Sequence, residues 1–260
     1  MARGYASVIS SVYGGRKTKI KVIIPIIVSE YNQELKQEVK REFENFAAKG
    51  TEIEVVNLAK GPASVESRYD DAVATPDVLT KVKEAEEAGF DGVIVDCFGD
   101  VGVKVAREIT TIPVVGAGEA SMVFAAALGH RFSVITVLKN LVPILTDAAK
   151  VLGVHEKLAS IRYVDIPVLE VADKERLKKA LYQEMLDAIE KDGAHVLVLG
   201  CTGMTGVASD LGKMLKEKGY DVPVIDPSAA SLKFAEALVR MGIKQSKLTY
   251  MEPPEKERTL

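Results

Sequence analysis

Val93-Ile94-Val95-Asp96-Cys97-Phe98-Gly99-Asp100-Val101-Gly102-Val103 couples a run of β-branched residues to a cysteine and a glycine-containing turn. The same design returns 104 residues later in Leu197-Val198-Leu199-Gly200-Cys201-Thr202-Gly203-Met204-Thr205-Gly206-Val207. The correspondence continues downstream, where Pro113-Val114-Val115-Gly116 is echoed by Pro223-Val224-Ile225-Asp226. Each half then enters a helical pattern with an alanine–serine pair, Ala120-Ser121 and Ala230-Ser231. A strand–cysteine–turn–helix unit present twice implies two similar lobes related by a pseudo-two-fold axis.

Outward from this pair, short Val/Ile runs alternate with helical patterns between residues 20 and 240. The reading predicts strands at 20–24, 52–57, 92–96, 114–116, 132–137, 161–165, 195–200 and 222–225. Most are near-continuous apolar runs, as in a parallel sheet covered on both faces. Leu35, Val39, Phe43 and Ala47 recur at four-residue spacing, as do Leu177, Leu181, Met185 and Ile189, and mark helix stripes. Strand alternating with helix places the chain in the α/β class. The expected organisation is an N-terminal extension at 1–19, a first lobe at 20–117 completed by 227–243, a second lobe at 118–226, and a C-terminal tail at 244–260. Met1–Lys19, with Gly14-Gly15, and Met251–Leu260, with Pro253-Pro254, read as mobile appendages.

The 260 residues include 34 Lys+Arg against 37 Asp+Glu, a balance that argues against an electrostatic nucleic-acid binder. At 47% hydrophobic and 27% charged the chain reads as globular. No apolar run reaches the ~20 residues of a membrane span, and residues 1–19 lack the continuous apolar segment of a signal peptide. The expectation is a cytoplasmic homo-oligomer acting on a small molecule, with neither nucleic acid nor membrane as partner. Two cysteines in such a chain make no disulfide framework.

Their positions instead suggest chemistry. Each cysteine falls at the carboxyl end of a predicted parallel strand, where open α/β sheets bind ligands. Each is also expected beside a helix N-terminus, a setting that lowers a thiol pKa. Two thiols on facing lobes could bracket one small ligand. Inverting the stereocentre of a carbon acid needs a base on one face and an acid on the other, and a thiolate–thiol pair supplies both. Backbone N–H groups of Phe98, Gly99, Thr202 and Gly203 are candidate donors to the enolate oxygen. Such a reaction calls for no metal, nicotinamide or pyridoxal group. Gly116-Ala117-Gly118 lacks the third glycine of a dinucleotide loop, and His130, His155 and His195 lack metal-ligand spacing. His195 reads as structural, and Glu119 and Asp226 as capping acids.

These residues, together with Gly61-Pro62-Ala63-Ser64-Val65-Glu66, Tyr69-Asp70, Glu119-Ala120-Ser121, Phe132-Ser133-Val134-Ile135-Thr136 and Asp165-Ile166-Pro167-Val168-Leu169, resemble the aspartate/glutamate/hydantoin racemase superfamily. Within it the chain is most similar to the hydantoin or allantoin racemase branch, from Ile20 to Met241. The resemblance implies two flavodoxin-like lobes, each a parallel β-sheet flanked by helices, with the active site between them. It implies cofactor-independent racemisation of a 5-substituted hydantoin at C5, with Cys97 and Cys201 as the acid/base pair. Pro25, Ser64 and Thr136 are expected to shape the pocket beside Phe98, Gly99, Thr202 and Gly203. Family members commonly carry Asn-Pro-Asn-Thr where this chain has Ile24-Pro25-Ile26-Ile27, and Thr-Thr-Leu-x-Arg where it has Thr136-Val137-Leu138-Lys139-Asn140. The pocket is therefore expected to be more apolar than is usual, suited to a hydrophobic 5-substituent. An amino-acid racemase, a maleate-type cis–trans isomerase and a two-lobed binding protein without catalysis are the alternatives.

Overall fold

The computed structural model describes residues 17–29 and 34–258. The first sheet contains β1 (Thr18–Ile27), β2 (Thr51–Leu58), β3 (Gly92–Val95) and β4 (Val114–Gly116), in the order β2-β1-β3-β4. The second contains β5 (Phe132–Thr136), β6 (Leu158–Tyr163), β7 (Val196–Leu199) and β8 (Val224–Ile225), in the order β6-β5-β7-β8. Every strand pair is parallel. The helices between them are α1 (Leu35–Phe46), α2 (Arg68–Glu87), α3 (Val103–Ile109), α4 (Ala117–Leu128), α5 (Val142–Leu152), α6 (Lys174–Glu190), α7 (Ala208–Glu217) and α8 (Pro227–Met241). The expected α/β architecture of two parallel sheets flanked by helices is thus observed.

Burial explains why the central strands read as unbroken apolar runs. All residues of β3 and β7 are buried, because helices cover both faces of each sheet. On one face of the first sheet Val22 and Ile94 pack with Val39 and Phe43 of α1 and Leu232 and Ala235 of α8. On the other, Ile23, Val93 and Val95 meet Ala74, Val78 and Val82 of α2. The second sheet buries Ile135 and Leu199 against Leu177, Leu181 and Met185 of α6. Its opposite face sets Phe132 and Val134 against Met122 of α4 and Leu145 of α5. The last helix therefore returns to the first sheet, and α4 and α8 lie side by side with Phe124 edge-on to Phe234 at 6.3 Å. No helix among the described residues is long and apolar enough to cross a membrane.

Two expectations need correction. The first strand begins at Thr18, so residues 18–19 belong to the sheet; residues 1–16 of the expected extension lie outside the described residues. The sixth strand runs from Leu158 to Tyr163 rather than over 161–165, because it is an edge strand of half-buried residues with little apolar contrast to mark its start. The segment after α8 is docked through residue 250. Gln245 accepts from Val114 N and donates to Val114 O, and Lys247 donates to the carbonyls of Arg107 and Glu108. Tyr250 takes a 3.1 Å hydrogen bond from Arg107 Nη1 and presents its ring to the guanidinium.

Candidate active site

Parallel pairing gathers the carboxyl ends of the strands, and a cleft of roughly 870 Å³, mouth included, opens between those of the two sheets. Cys97 follows the end of β3 and Cys201 the end of β7, and both line this cleft. Gly200 lets β7 close on β5 just before Cys201: a Cβ there would stand 2.8 Å from Val134 Cγ1, 2.9 Å from Ile135 O and 3.0 Å from Thr136 Cα. Pro25 sits at a register irregularity between Ile24 and Ile27 of β1, where a residue without an N–H is tolerated, and it faces the cleft.

The turn after Cys97 is anchored by Asp100, which holds a left-handed backbone (φ 54°) that Asp tolerates better than most residues. Its carboxylate accepts from the N–H groups of Gly118 and Glu119, both at 2.8 Å, and so caps α4. Glu119 in turn pairs with the buried Arg107 guanidinium, which also donates to Val114 O. The turn after Cys201 is tied to the first sheet. Thr202 Oγ1 donates to the Asp96 carbonyl at 3.1 Å, and Gly206 N–H donates to Glu42 Oε1 at 3.2 Å.

The electrostatics differ from the sequence expectation. Turns separate each cysteine from the following helix, which starts at Val103 or Ala208, so neither thiol sits on a helix N-terminus. Burial pushes the Cys97 thiol well up; the N–H of Gly99, bonded to its sulfur, opposes the rise, while charge on Cys201, Asp100 and Asp96 adds to it. Burial also raises Cys201, to about 11, against the N–H of Gly203 and the Lys174 ammonium. Desolvation by the cleft walls thus outweighs every local donor. Burial, reinforced by Asp226, lifts the Asp96 carboxyl to about 7, and its contact with Ser228 Oγ is a long 3.4 Å.

Of the residues expected to shape the site, Pro25, Phe98, Gly99, Thr202 and Gly203 join the two cysteines in the cleft wall. Ser64 and Thr136 do not. Thr136 is fully buried and donates from Oγ1 to Gly200 O at 3.1 Å; strand alternation turns Val137, its neighbour, towards the cleft instead. Near Ser64 it is Val65 and Ser67 that line the wall. The sequence reading also missed Leu35 and Val39 of α1, Leu141, Ile144 and Val168 of the second lobe, and the acid Asp71. The α1 stripe at four-residue spacing was the available signal for the first two. Among the described residues lining the cleft there is no Lys, Arg or His.

The remaining candidates lie elsewhere. His195 is exposed at the start of β7, its ring 6.5 Å from that of His130, at the end of the sheet remote from the cysteines. Asp226 caps α8 as expected, accepting from the N–H groups of Ser228 and Ala229. Among the described residues no group of His, Cys, Asp or Glu is arranged to hold a metal ion.

This arrangement has close parallels. The family model described as Asp/Glu/hydantoin racemase matches residues 24–235. The hydantoin racemase of Pseudomonas sp. (strain NS671) is 39% identical over 241 residues, covering 92% of this chain and 93% of that protein. The hydantoin racemase of Paenarthrobacter aurescens is 34% identical, over 90% of this chain and 98% of its own. Among solved structures, an allantoin racemase from Klebsiella pneumoniae superposes with a TM-score of 0.85 at 33% identity, covering 94% of this chain and 96% of that one. Matched in sequence along nearly its whole length and in fold around a cleft that holds both cysteines, the chain belongs to the Asp/Glu/hydantoin racemase family of isomerases.

Proposed function

We propose that the protein racemises 5-substituted hydantoins at C5 by two-base proton transfer between Cys97 and Cys201. The observation that carries this reading is that both thiols, at the ends of equivalent strands, line one cleft. One cysteine, as thiolate, takes the C5 proton, and the electron pair moves onto the adjacent carbonyl oxygen to give a planar enolate. The opposite thiol returns a proton to the other face and becomes the thiolate, so thiol and thiolate exchange places in each turnover. The N–H groups of Gly99 and Gly203 are directed at the sulfurs, so Phe98 and Thr202 are the remaining turn N–H groups proposed to hold the enolate oxygen. Ile24, Ile26, Val39, Val65 and Val137 favour a neutral ring bearing an apolar substituent. The same wall, without a cationic side chain among the described residues, suits free aspartate, glutamate or maleate poorly.

The test is incubation of the reduced protein with one enantiomer of 5-benzylhydantoin in D2O, following optical rotation and C5 deuterium against a protein-free control. Catalysed loss of rotation with exchange is expected, and Cys97→Ser and Cys201→Ser should each abolish it. Wild-type racemisation by either variant in both directions would overturn the assignment. Turnover of an amino acid or maleate instead would move the substrate, and ligand binding without any turnover would favour a binding protein.

A further inference from the structure

The two thiols share a cleft but not an environment. Asp96 and Asp100, both acids, flank Cys97, and the charges acting on it are those of Asp96, Asp100 and Cys201. Cys201 has Asp96 and Glu66 to oppose its ionisation, but also one cation, Lys174. Lys174 opens α6, and its ammonium is placed against the turn that follows Cys201. Nζ lies 3.2 Å from Thr205 Oγ1 and 3.4 Å from Gly203 O, and it is Gly203 whose N–H bonds the Cys201 sulfur. The lysine is half-buried, so its field is less screened than that of a surface charge.

The acids around Lys174 come from the other sheet's helix, α1: Glu38 and Glu42. Glu38 has no close ion pair with Lys174 among the described residues. Glu42 spends Oε1 on Gly206 N–H, and its Oε2 is buried without a hydrogen-bond partner among the described residues. Burial, with Asp226 and Asp96 nearby, raises that carboxyl to about 8, so it is largely protonated near neutral pH and opposes the ammonium only as pH passes that value. Burial lowers the Lys174 ammonium itself, against the negative charge of Glu38, of Glu42 once it ionises, and of Cys201.

We propose that Lys174 is a positioning residue for Cys201, whose charge makes Cys201 the first of the two thiols to ionise and therefore the base of the free enzyme. This rests on the two-thiol reading above, but its test does not require turnover. From the resting free enzyme the enantiomer presenting its C5 hydrogen to Cys201 then reacts directly, and the other enantiomer only after the proton has shifted between the thiols.

The experiment is iodoacetamide alkylation of the reduced full-length protein at several alkaline pH values, with both cysteines quantified separately by peptide mass spectrometry. In the wild type Cys201 should alkylate faster than Cys97. Lys174→Gln, which keeps hydrogen-bonding capacity to Gly203 and Thr205 but removes the charge, should slow Cys201 roughly tenfold, as expected for losing a neighbouring opposite charge, and leave Cys97 unchanged. Lys174→Arg should restore the wild-type ratio. Equal slowing of both cysteines, an unchanged Cys201 rate in Lys174→Gln, or no rescue by Arg with native circular dichroism retained would overturn the proposal. A protein that shows the alkylation pattern yet racemises no hydantoin would leave Lys174 in its role and remove the substrate.

Discussion

Replacing Gly200 with alanine tests how far the position of Cys201 depends on the close approach of β7 to β5. The added Cβ would meet Val134 Cγ1 at 2.8 Å, Ile135 O at 2.9 Å and Thr136 Cα at 3.0 Å, where ordinary contacts begin at 3.4 Å. The shortfall is about 0.4 to 0.6 Å against three atoms, two of them backbone of a central strand, so side-chain rotation cannot relieve it. Gly200 N–H is also held to Ile135 O at 2.7 Å, which resists separation of the strands. Overpacking of this kind costs about 1–3 kcal/mol, and β7 should yield by about half an ångström, carrying Cys201 with it. Since a 1 Å misplacement can cost roughly a hundredfold in rate, the expected loss in kcat/KM is about tenfold. Gly212→Ala in α7 is the paired control. Its Cβ meets only Val224 Cγ2, at 4.0 Å, and a helical Gly→Ala change there should stabilise by about 0.5–1 kcal/mol with activity intact. Urea melts and racemisation of an enantiopure hydantoin read both effects. A Gly200→Ala protein with wild-type melting and wild-type kcat/KM would refute the reasoning.

Asp96 titrates upward in the fold, so the stability tied to its protonated form is complete below its unfolded pKa and is lost as pH rises towards about 7. Asp96→Asn should therefore gain on the wild type by up to about 3 kcal/mol between about pH 5 and about pH 8.5, measured as the change in urea-derived stability difference; parallel pH profiles would count against it. Thr136→Val should lose about 1–2 kcal/mol through the unpaired Gly200 carbonyl, with KM unchanged because Thr136 stands behind the wall; a raised KM with normal melting would restore it as a substrate contact. Arg107→Met strands the Glu119 carboxylate, only 14% exposed, and should cost about 3 kcal/mol or more, whereas Tyr250→Phe should cost no more than about 1 kcal/mol, both read by urea denaturation.

What could be read from the chain was whatever leaves a periodic or repeated trace. The doubled strand–cysteine–turn unit marked both sheets and both thiols, because a fully covered parallel strand must be apolar throughout and its carboxyl end is where the chain is free to vary. Pro25 was legible only through the family resemblance, at the position of the family's Asn-Pro-Asn-Thr pattern. Contacts made across the lobes leave no such trace. Lys174, 27 residues before Cys201, carries no local signal that it will meet the turn after that cysteine. Nor does Glu42, whose partners come from both lobes. Thr136 was misassigned because a strand residue one step off the wall differs from its neighbour only in direction. Residues 245–250 resemble a solvated tail in composition, yet they dock by donating to and accepting from backbone groups, which any polar side chain can do.

The hydrogen bond from Thr202 Oγ1 to the Asp96 carbonyl joins the residue after one cysteine to the residue before the other. Adjacent to both sulfurs, it ties the chain at one cysteine directly to the chain at the other. Leu35, Leu141 and Ile144 line the same cleft through apolar side chains, whose contacts have no preferred direction. The cleft thus combines a directional tie beside the two thiols with a non-directional apolar wall.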